Sequence, residues 1–331
     1  MLRDWLKKQG VDDVLINRVF HELDKVAGDT SKHIYDRNKA VYEMLRYGVK
    51  IKPSQGGFGT LGGFGTLGGF GTRPYRANTV TIWLIDWKNP EDNHFAIVEE
   101  VTAKGADAKA STKRPDVVLY VNGIALGELE LKRSTVSVAE GIRQNLDNQK
   151  KEFIQPFFST MQWLMAGNDS EGLRYGTLET PEKYYLRWVE DGGEFVEEEN
   201  LLDRHLLQIC GKARFLELIH DFVVFDAGNK KVSRQNQYFG VKAAQDFIRR
   251  REGGIIWHTQ GSGKSLTMVW LAKWIRENRT EARVLVITDR TELDEQIEKV
   301  FLGVNEQIYR TKRGRICSTS STARKNPFCV R

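Results

Sequence analysis

Arg114-Pro115-Asp116-Val117-Val118-Leu119-Tyr120-Val121-Asn122-Gly123-Ile124-Ala125-Leu126-Gly127-Glu128-Leu129-Glu130-Leu131-Lys132 is the stretch on which the fold turns. An apolar run reaches an Asn-Gly pair and a second run returns from it. Asn-Gly between two such runs is a strong hairpin signal, because both central positions of a type I′ turn need positive φ. Side chains alternate along a strand, so Glu128, Glu130 and Lys132 share one face while Leu129 and Leu131 turn to the core. A strict two-residue turn pairs Asp116 with Leu129, on the wrong face to meet Glu130. One extra residue, in a three-residue turn or a β-bulge, slips the register and puts Asp116 beside Glu130.

Pro-Asp, a hairpin and then Glu-x-Lys form the pattern of the PD-(D/E)xK nucleases, which this stretch resembles. Phosphodiester hydrolysis needs a divalent ion to polarise the phosphate and acidify a water. Mg²⁺ takes oxygen ligands, which Asp116 and Glu130 supply. Lys132, on the same face, is placed to stabilise the attacking hydroxide or the charge that develops on phosphorus. The plain alternative is a surface Glu/Lys ladder on an amphipathic strand.

Outward from the hairpin, the alternation predicts strands at Thr79–Ile85, His94–Glu99, Met161–Ala166 and Tyr184–Trp188. A helix is expected from Val138 to about Phe153, with Val138, Ile142, Leu146 and Phe153 on its core face. Gly141, Gln144, Asn145 and Asn148 make a small, polar face suited to approach a phosphate backbone, or simply an ordinary polar face. Upstream, one helix is read over Leu2–Ala27 and a second over Asp36–Tyr47, closed by Gly48. Three near-identical Gly-Gly-Phe-Gly-Thr copies between Gly56 and Thr72 are too short and too few for a solenoid and read as a flexible loop. Glu190–Asn200 reads as an acidic loop and Leu201–Phe225 as helical. Asp226–Lys231 is the expected interdomain linker.

Downstream lies Ile255-Ile256-Trp257-His258-Thr259-Gln260-Gly261-Ser262-Gly263-Lys264-Ser265. An apolar run, a glycine-rich loop and a helix striped with Leu266, Val269, Trp270 and Trp274 make up a phosphate-binding loop. Gly261, Ser262 and Gly263 turn backbone N–H groups toward phosphate oxygens, Lys264 reaches the outer phosphates and Ser265 takes Mg²⁺. His258 stands where the common Gly-x-x-x-x-Gly-Lys-Ser form has its first glycine. Gln237, some twenty residues upstream, is a candidate to read adenine's edge. Ala282–Arg290 is expected to be a buried parallel strand whose C-terminal end faces the ligand.

Composition excludes several classes. At 331 residues with 40% hydrophobic content and a mean hydropathy of -0.47, the chain has room for two cores. No apolar run is long enough to span a membrane. Met1–Lys8 lacks a signal peptide's apolar stretch. Three cysteines, Cys210, Cys317 and Cys329, are too irregular for a disulfide framework or a zinc site, so a reducing, cytoplasmic compartment is expected. The net charge of +6 is equalled by the six basic residues between Lys312 and Arg331, without which 44 basic residues face 44 acidic ones. Bulk charge is therefore no argument for DNA binding.

The order Pro-Asp…Glu-Leu-Lys, Arg-x-x-Gln-Tyr, Trp-His-Thr-Gln-Gly-Ser-Gly-Lys-Ser and Val-Ile-Thr-Asp-Arg-x-x-Leu resembles the restriction (R) subunit of type I restriction-modification enzymes, over roughly residues 78–307. The resemblance implies an α/β fold: a nuclease-like mixed sheet flanked by helices over 1–228, then a partial RecA-like, superfamily 2 parallel α/β lobe over 229–310. Residues 311–331 are left as an irregular basic tail. It further implies an ATP- and Mg²⁺-dependent endonuclease coupled to translocation along double-stranded DNA, with methylation and specificity subunits as partners. Its site residues are Asp116, Glu130 and Lys132, with Gln144 heading a Gln-x-x-x-Tyr motif in which Asn148 stands at the tyrosine position. Gln237 is implied for adenine, and Gly261 to Ser265 for the phosphates. After Gln307 neither an acidic Walker B motif nor a second lobe with arginine fingers appears, and Thr311–Arg331 reads like a truncated or out-of-frame terminus. A non-catalytic remnant that binds only nucleotide, DNA or partner subunits is the alternative.

Overall fold

The computed structural model describes residues 1–52, 79–105, 111–190, 200–280, 282–288, 291–304, 306, 308–310 and 328–330. The glycine-rich repeat and most of the acidic 190–200 loop lie outside them. In chain order come helices α1 (Leu2–Lys8), α2 (Asp13–Ala27) and α3 (Ile34–Tyr47), then strands β1 (Val49–Ile51), β2 (Val80–Ile82), β3 (Phe95–Glu99), β4 (Val117–Val121) and β5 (Ile124–Leu131). Helix α4 (Val138–Asn148) leads to β6 (Trp163–Asn168), β7 (Gly172–Gly176) and β8 (Leu186–Arg187). Next are α5 (Leu201–Cys210), α6 (Lys212–Asp221), β9 (Val223–Asp226), β10 (Asn229–Val232), α7 (Gln235–Arg250) and α8 (Lys264–Asn278). The chain continues through β11 (Val284–Val286), α9 (Thr291–Gly303), β12 (Ile308–Arg310) and β13 (Phe328–Val330).

Strands β3 to β8 form one six-stranded sheet in sequential order, antiparallel except where β5 runs parallel to β6. That parallel step needs a crossover, which α4 provides. One face carries Leu129, Met165, Leu173 and Tyr175 into the main core. On the other, Ala166 packs under Val138 and Ile142 of α4. Trp163 stacks on Tyr175 with ring centroids 5.1 Å apart, and Tyr175 leads through Trp188 to Tyr238 of α7. The sheet and the helices after it therefore share one core.

Several sequence expectations are corrected. The helix read over Leu2–Ala27 is two, because Gly10 adopts φ +80° and Asp12 caps a fresh start by accepting from Leu15 N at 2.8 Å. Of the strand read over Thr79–Ile85 only Val80–Ile82 pairs, and with β1 rather than with the main sheet. Leu131, read as core, is 38% exposed at the end of β5. The linker read at Asp226–Lys231 is the hairpin β9–β10, turning on Ala227 and Gly228 with φ +46° and +86°. Lys230 within it is buried, donating to Asn38 Oδ1, Met161 O and Gln162 Oε1 at 2.7–3.1 Å. Burial pushes its pKa well down.

The second sheet differs more. It is a short parallel set in the order β11, β13, β12, so three residues of the tail read as irregular form its middle strand. The run Ile255–Trp257 is no strand, and Ile255 and Trp257 are 91% and 90% exposed. β11 is parallel but not buried, with Leu285 half exposed. Among the described residues, no helix is long and apolar enough to cross a membrane.

Candidate active site

The hairpin turns on Asn122 and Gly123 at φ +51° and +84°, with Val121 opposite Ile124 and Tyr120 opposite Ala125. Leu119 then faces Gly127, so Leu126 is the extra residue of a bulge. From there on Val118 faces Glu128 and Val117 faces Leu129, which sets Asp116 against Glu130. The turn is thus a regular two-residue one and the bulge does the slipping. Asn122 is fully buried and anchors the turn, donating to Leu84 O and Asn93 Oδ1 and accepting from His94 N.

Asp116 Oδ2 accepts from Leu131 N at 2.8 Å, fixing its carboxylate at the end of β5. The Glu130 side chain is buried between strand and helix. Gln144 Nε2 donates to its Oε2 at 2.6 Å and Asn148 Nδ2 to its Oε1 at 3.3 Å. Lys132 Nζ stands 3.8 Å from Glu130 Oε2 and donates to Gln144 Oε1 at 2.8 Å. Burial, and then the charge of Asp116, push the Glu130 pKa up to about 7. Glu128, two residues back on the same face, is wholly buried, and desolvation followed by Glu130's charge pushes it well up. Like charges taken out of water prefer a proton or a cation between them.

The structure therefore brings Asp116, Glu130, Lys132 and Gln144 together. It also corrects the reading of the polar face of α4. That face is turned to the sheet, with Gly141 set against Ala166 and Asn145 Nδ2 donating to Met165 O. Gly141 allows a close approach there, since a Cβ would lie a tight 3.1 Å from that of Ala166. Asn148, at the tyrosine position of the Gln-x-x-x-Tyr motif, joins the site through Glu130, and Glu128 joins it without a motif to mark it. The alternation already places Glu128 on this face, while the position of Asn148 beside Glu130 follows from the crossing of α4 over β5. Among the described residues no group of three or more His, Cys, Asp or Glu is disposed to hold a metal ion. The donor set is two carboxylates, which suits Mg²⁺, a hard cation that keeps waters and takes substrate phosphates as its remaining ligands.

The glycine-rich loop before α8 has a different construction. Gly261 and Gly263 take φ +80° and +83°, and α8 starts at Lys264 with Ser265 in its first turn. A Cβ on Gly263 would sit 2.4 Å from Gln237 Nε2. That nitrogen donates to Gly263 O at 3.0 Å, while Gln237 Oε1 accepts from Arg234 N. Ser262 Oγ donates to Thr259 O, and Lys264 Nζ donates to His258 O and Thr259 O at 3.2 and 3.0 Å. Gln237 is thus placed against the loop, and the lysine folds back on the loop's own carbonyls.

Residues 71–183 match the family model for the N terminus of type I restriction enzyme R proteins, and 236–324 match that of SWI2/SNF2 ATPases. The HindI type I restriction enzyme endonuclease subunit of Haemophilus influenzae is 25% identical over 83% of this chain and 26% of its own length. The SsaAORF53P endonuclease subunit of Staphylococcus saprophyticus is 24% identical over 74% of this chain and 25% of its own. These matches support an N-terminal portion of a type I restriction enzyme R protein, with the family model itself covering residues 71–183. The chain spans about a quarter of the length of the curated relatives it matches, and Asp116, Glu130, Lys132 and Gln144 lie inside the matched N-terminal segment.

Proposed function

We propose that the chain carries the DNA-cleaving site of a type I restriction endonuclease, dependent on Mg²⁺ and coupled to an ATP-driven translocase. One observation carries this reading: the bulge at Leu126 sets Asp116 opposite Glu130, where Lys132 and Gln144 already converge. Asp116 and Glu130 would hold the divalent ion, which polarises the phosphate and acidifies a water. Lys132 meets the negative charge that develops on the phosphoryl oxygens. Gln144 bridges Lys132 and Glu130 and so orients both. Asn148 keeps the second oxygen of Glu130 in place. The substrate is double-stranded DNA, and methylation and specificity subunits are the partners.

At the loop, Gly261, Ser262, Gly263, Lys264 and Ser265 would hold the phosphates of ATP with its Mg²⁺, and Gln237 the base. To do so Lys264 must leave the carbonyls of His258 and Thr259. A specific observation favours weak turnover by the 331 residues alone: the run leading into the loop is exposed and unpaired, so no strand holds the loop rigid. We expect the purified chain to turn over less than about one ATP per second, at the bottom of the usual enzyme range.

The test is plasmid cleavage with Mg²⁺, by the chain alone and assembled with the methylation and specificity subunits, with and without ATP. Cleavage that vanishes with Asp116→Asn supports the reading. Cleavage unaffected by that substitution rejects it, and no cleavage under any condition leaves the non-catalytic remnant standing.

A further inference from the structure

Besides Lys132, the edge of the main sheet that holds the carboxylates carries three arginines that the site does not use: Arg133, Arg174 and Arg187. Arg133 directly follows Lys132 and is exposed. Arg174 on β7 is the direct partner of Arg187 on β8. The same row runs Glu130, Ala166, Arg174, Arg187 across β5 to β8, so both arginines lie on the face that carries Glu130. Neighbouring strands are about 4.8 Å apart, which puts the arginines roughly 10 to 15 Å along the sheet from Glu130. The 133–137 loop is pinned to the turn after β6, with Asn168 Nδ2 donating to Val136 O at 2.7 Å and Ser170 Oγ to Ser134 O at 2.8 Å. Arg133 and the start of β7 therefore share one rim.

None of the three forms an ion pair with a carboxylate among the described residues. Among the described residues, Arg174 donates only to the carbonyls of Glu171 and Leu173, at 3.2 and 3.4 Å. The nearby Glu171 carboxylate is engaged by the N–H of Val138 at the start of α4. Like charges directly opposite on adjacent strands are destabilising. Burial, and then the charge of Arg187, push the Arg174 pKa down. A shared anion would relieve both. Two guanidinia on directly opposed residues offer paired donors suited to one phosphate.

We propose that Arg174 and Arg187 together grip one backbone phosphate of the DNA, and Arg133 a second, along the rim leading away from Asp116 and Glu130. This rests on reading that site as a DNA nuclease. The grip is sequence-independent, because it touches only phosphates. DNA is favoured over an acidic protein surface because the arginines share a sheet face and a rim with the carboxylates.

The test uses the full 331-residue chain and a short fluorescent duplex in metal-free buffer, so that binding is read without cleavage. Anisotropy is followed across a salt series for the wild type, Arg133→Ala/Arg187→Ala, and that pair combined with Arg174→Ala. The double variant alters only exposed side chains and guards against loss of fold at Arg174. Affinity should fall roughly ten-fold or more at about 0.1 M salt, and the log–log salt slope should become shallower by about 0.9 for each phosphate no longer neutralised. Wild-type affinity and slope in both variants would overturn the proposal. So would variants that bind DNA normally but no longer assemble with a partner subunit, which would make the rim a protein-binding surface. A wild type that binds no DNA also overturns it, yet Lys132-dependent cleavage by the assembled complex would still uphold the site. Conversely, DNA binding governed by the arginines beside cleavage indifferent to Lys132 keeps the rim and sinks the site.

Discussion

The carboxylate site and the phosphate loop are equally plain as motifs, yet the fold treats them differently. Gln144 ties Lys132 to Glu130, and Leu131 N holds Asp116, on a paired, mostly buried strand and the helix that crosses it. Among the described residues, Lys264 is tied only to its own loop, behind a run whose Trp257 is 90% exposed. The first site takes its order from a hairpin and one crossover, all local. The second needs a strand from a parallel sheet, whose neighbours are distant in sequence. A site is preorganised to the degree that its supporting elements are.

The contrast can be broken most forcefully in the core. Trp163→Ala, beneath the carboxylate strand, should cost about 4 kcal/mol of stability, as truncation of a buried aromatic does. Urea denaturation reads this directly, and a loss below about 1 kcal/mol would mean the sheet is not the rigid support described.

Next in size, Lys132→Ala should leave the urea midpoint nearly unchanged while cutting cleavage by the assembled complex by two orders of magnitude or more, on the order of 3 kcal/mol. Wild-type cleavage by this variant would remove Lys132 from the mechanism.

A smaller effect probes the electrostatics. The Glu130 pKa is raised from 4.5 to about 7, so the fold favours the protonated acid. Its contribution to stability is complete below about 4.5 and is lost as pH rises through about 7. Glu130→Gln should therefore stabilise the metal-free chain at pH 8, by up to about 2 kcal/mol, and give no gain at pH 4. Thermal melts in a chelating buffer at the two pH values decide it, and a variant destabilised at pH 8 contradicts the arrangement.

Smallest of all, Trp257→Ala should change stability by no more than about 0.5 kcal/mol, because an exposed ring gives up little on removal. A loss of several kcal/mol would show that the run before the loop is packed after all, and the two regions would no longer differ.

What the sequence determined by itself is local. The Asn-Gly turn, the alternation that put Glu128, Glu130 and Lys132 on one face, and the Gly-Ser-Gly-Lys-Ser loop all depend on backbone sterics within a few residues. Even the need for a one-residue slip was legible, because side-chain period is fixed at two and Asp116 and Glu130 had the wrong parity. The placing of that slip at Leu126 belongs to tertiary structure, since the turn residues stay ideal and the bulged leucine is completely buried in the main core. Tertiary packing also turned the polar side of α4 inward, because Glu130 needs donors once β5 is covered. It made a hairpin of the expected linker, with Lys230 held by Asn38 and Gln162, residues nearly two hundred and about seventy positions away. And it left Ile255–Trp257 outside any sheet, since an apolar run becomes a strand only where another strand completes its hydrogen bonds.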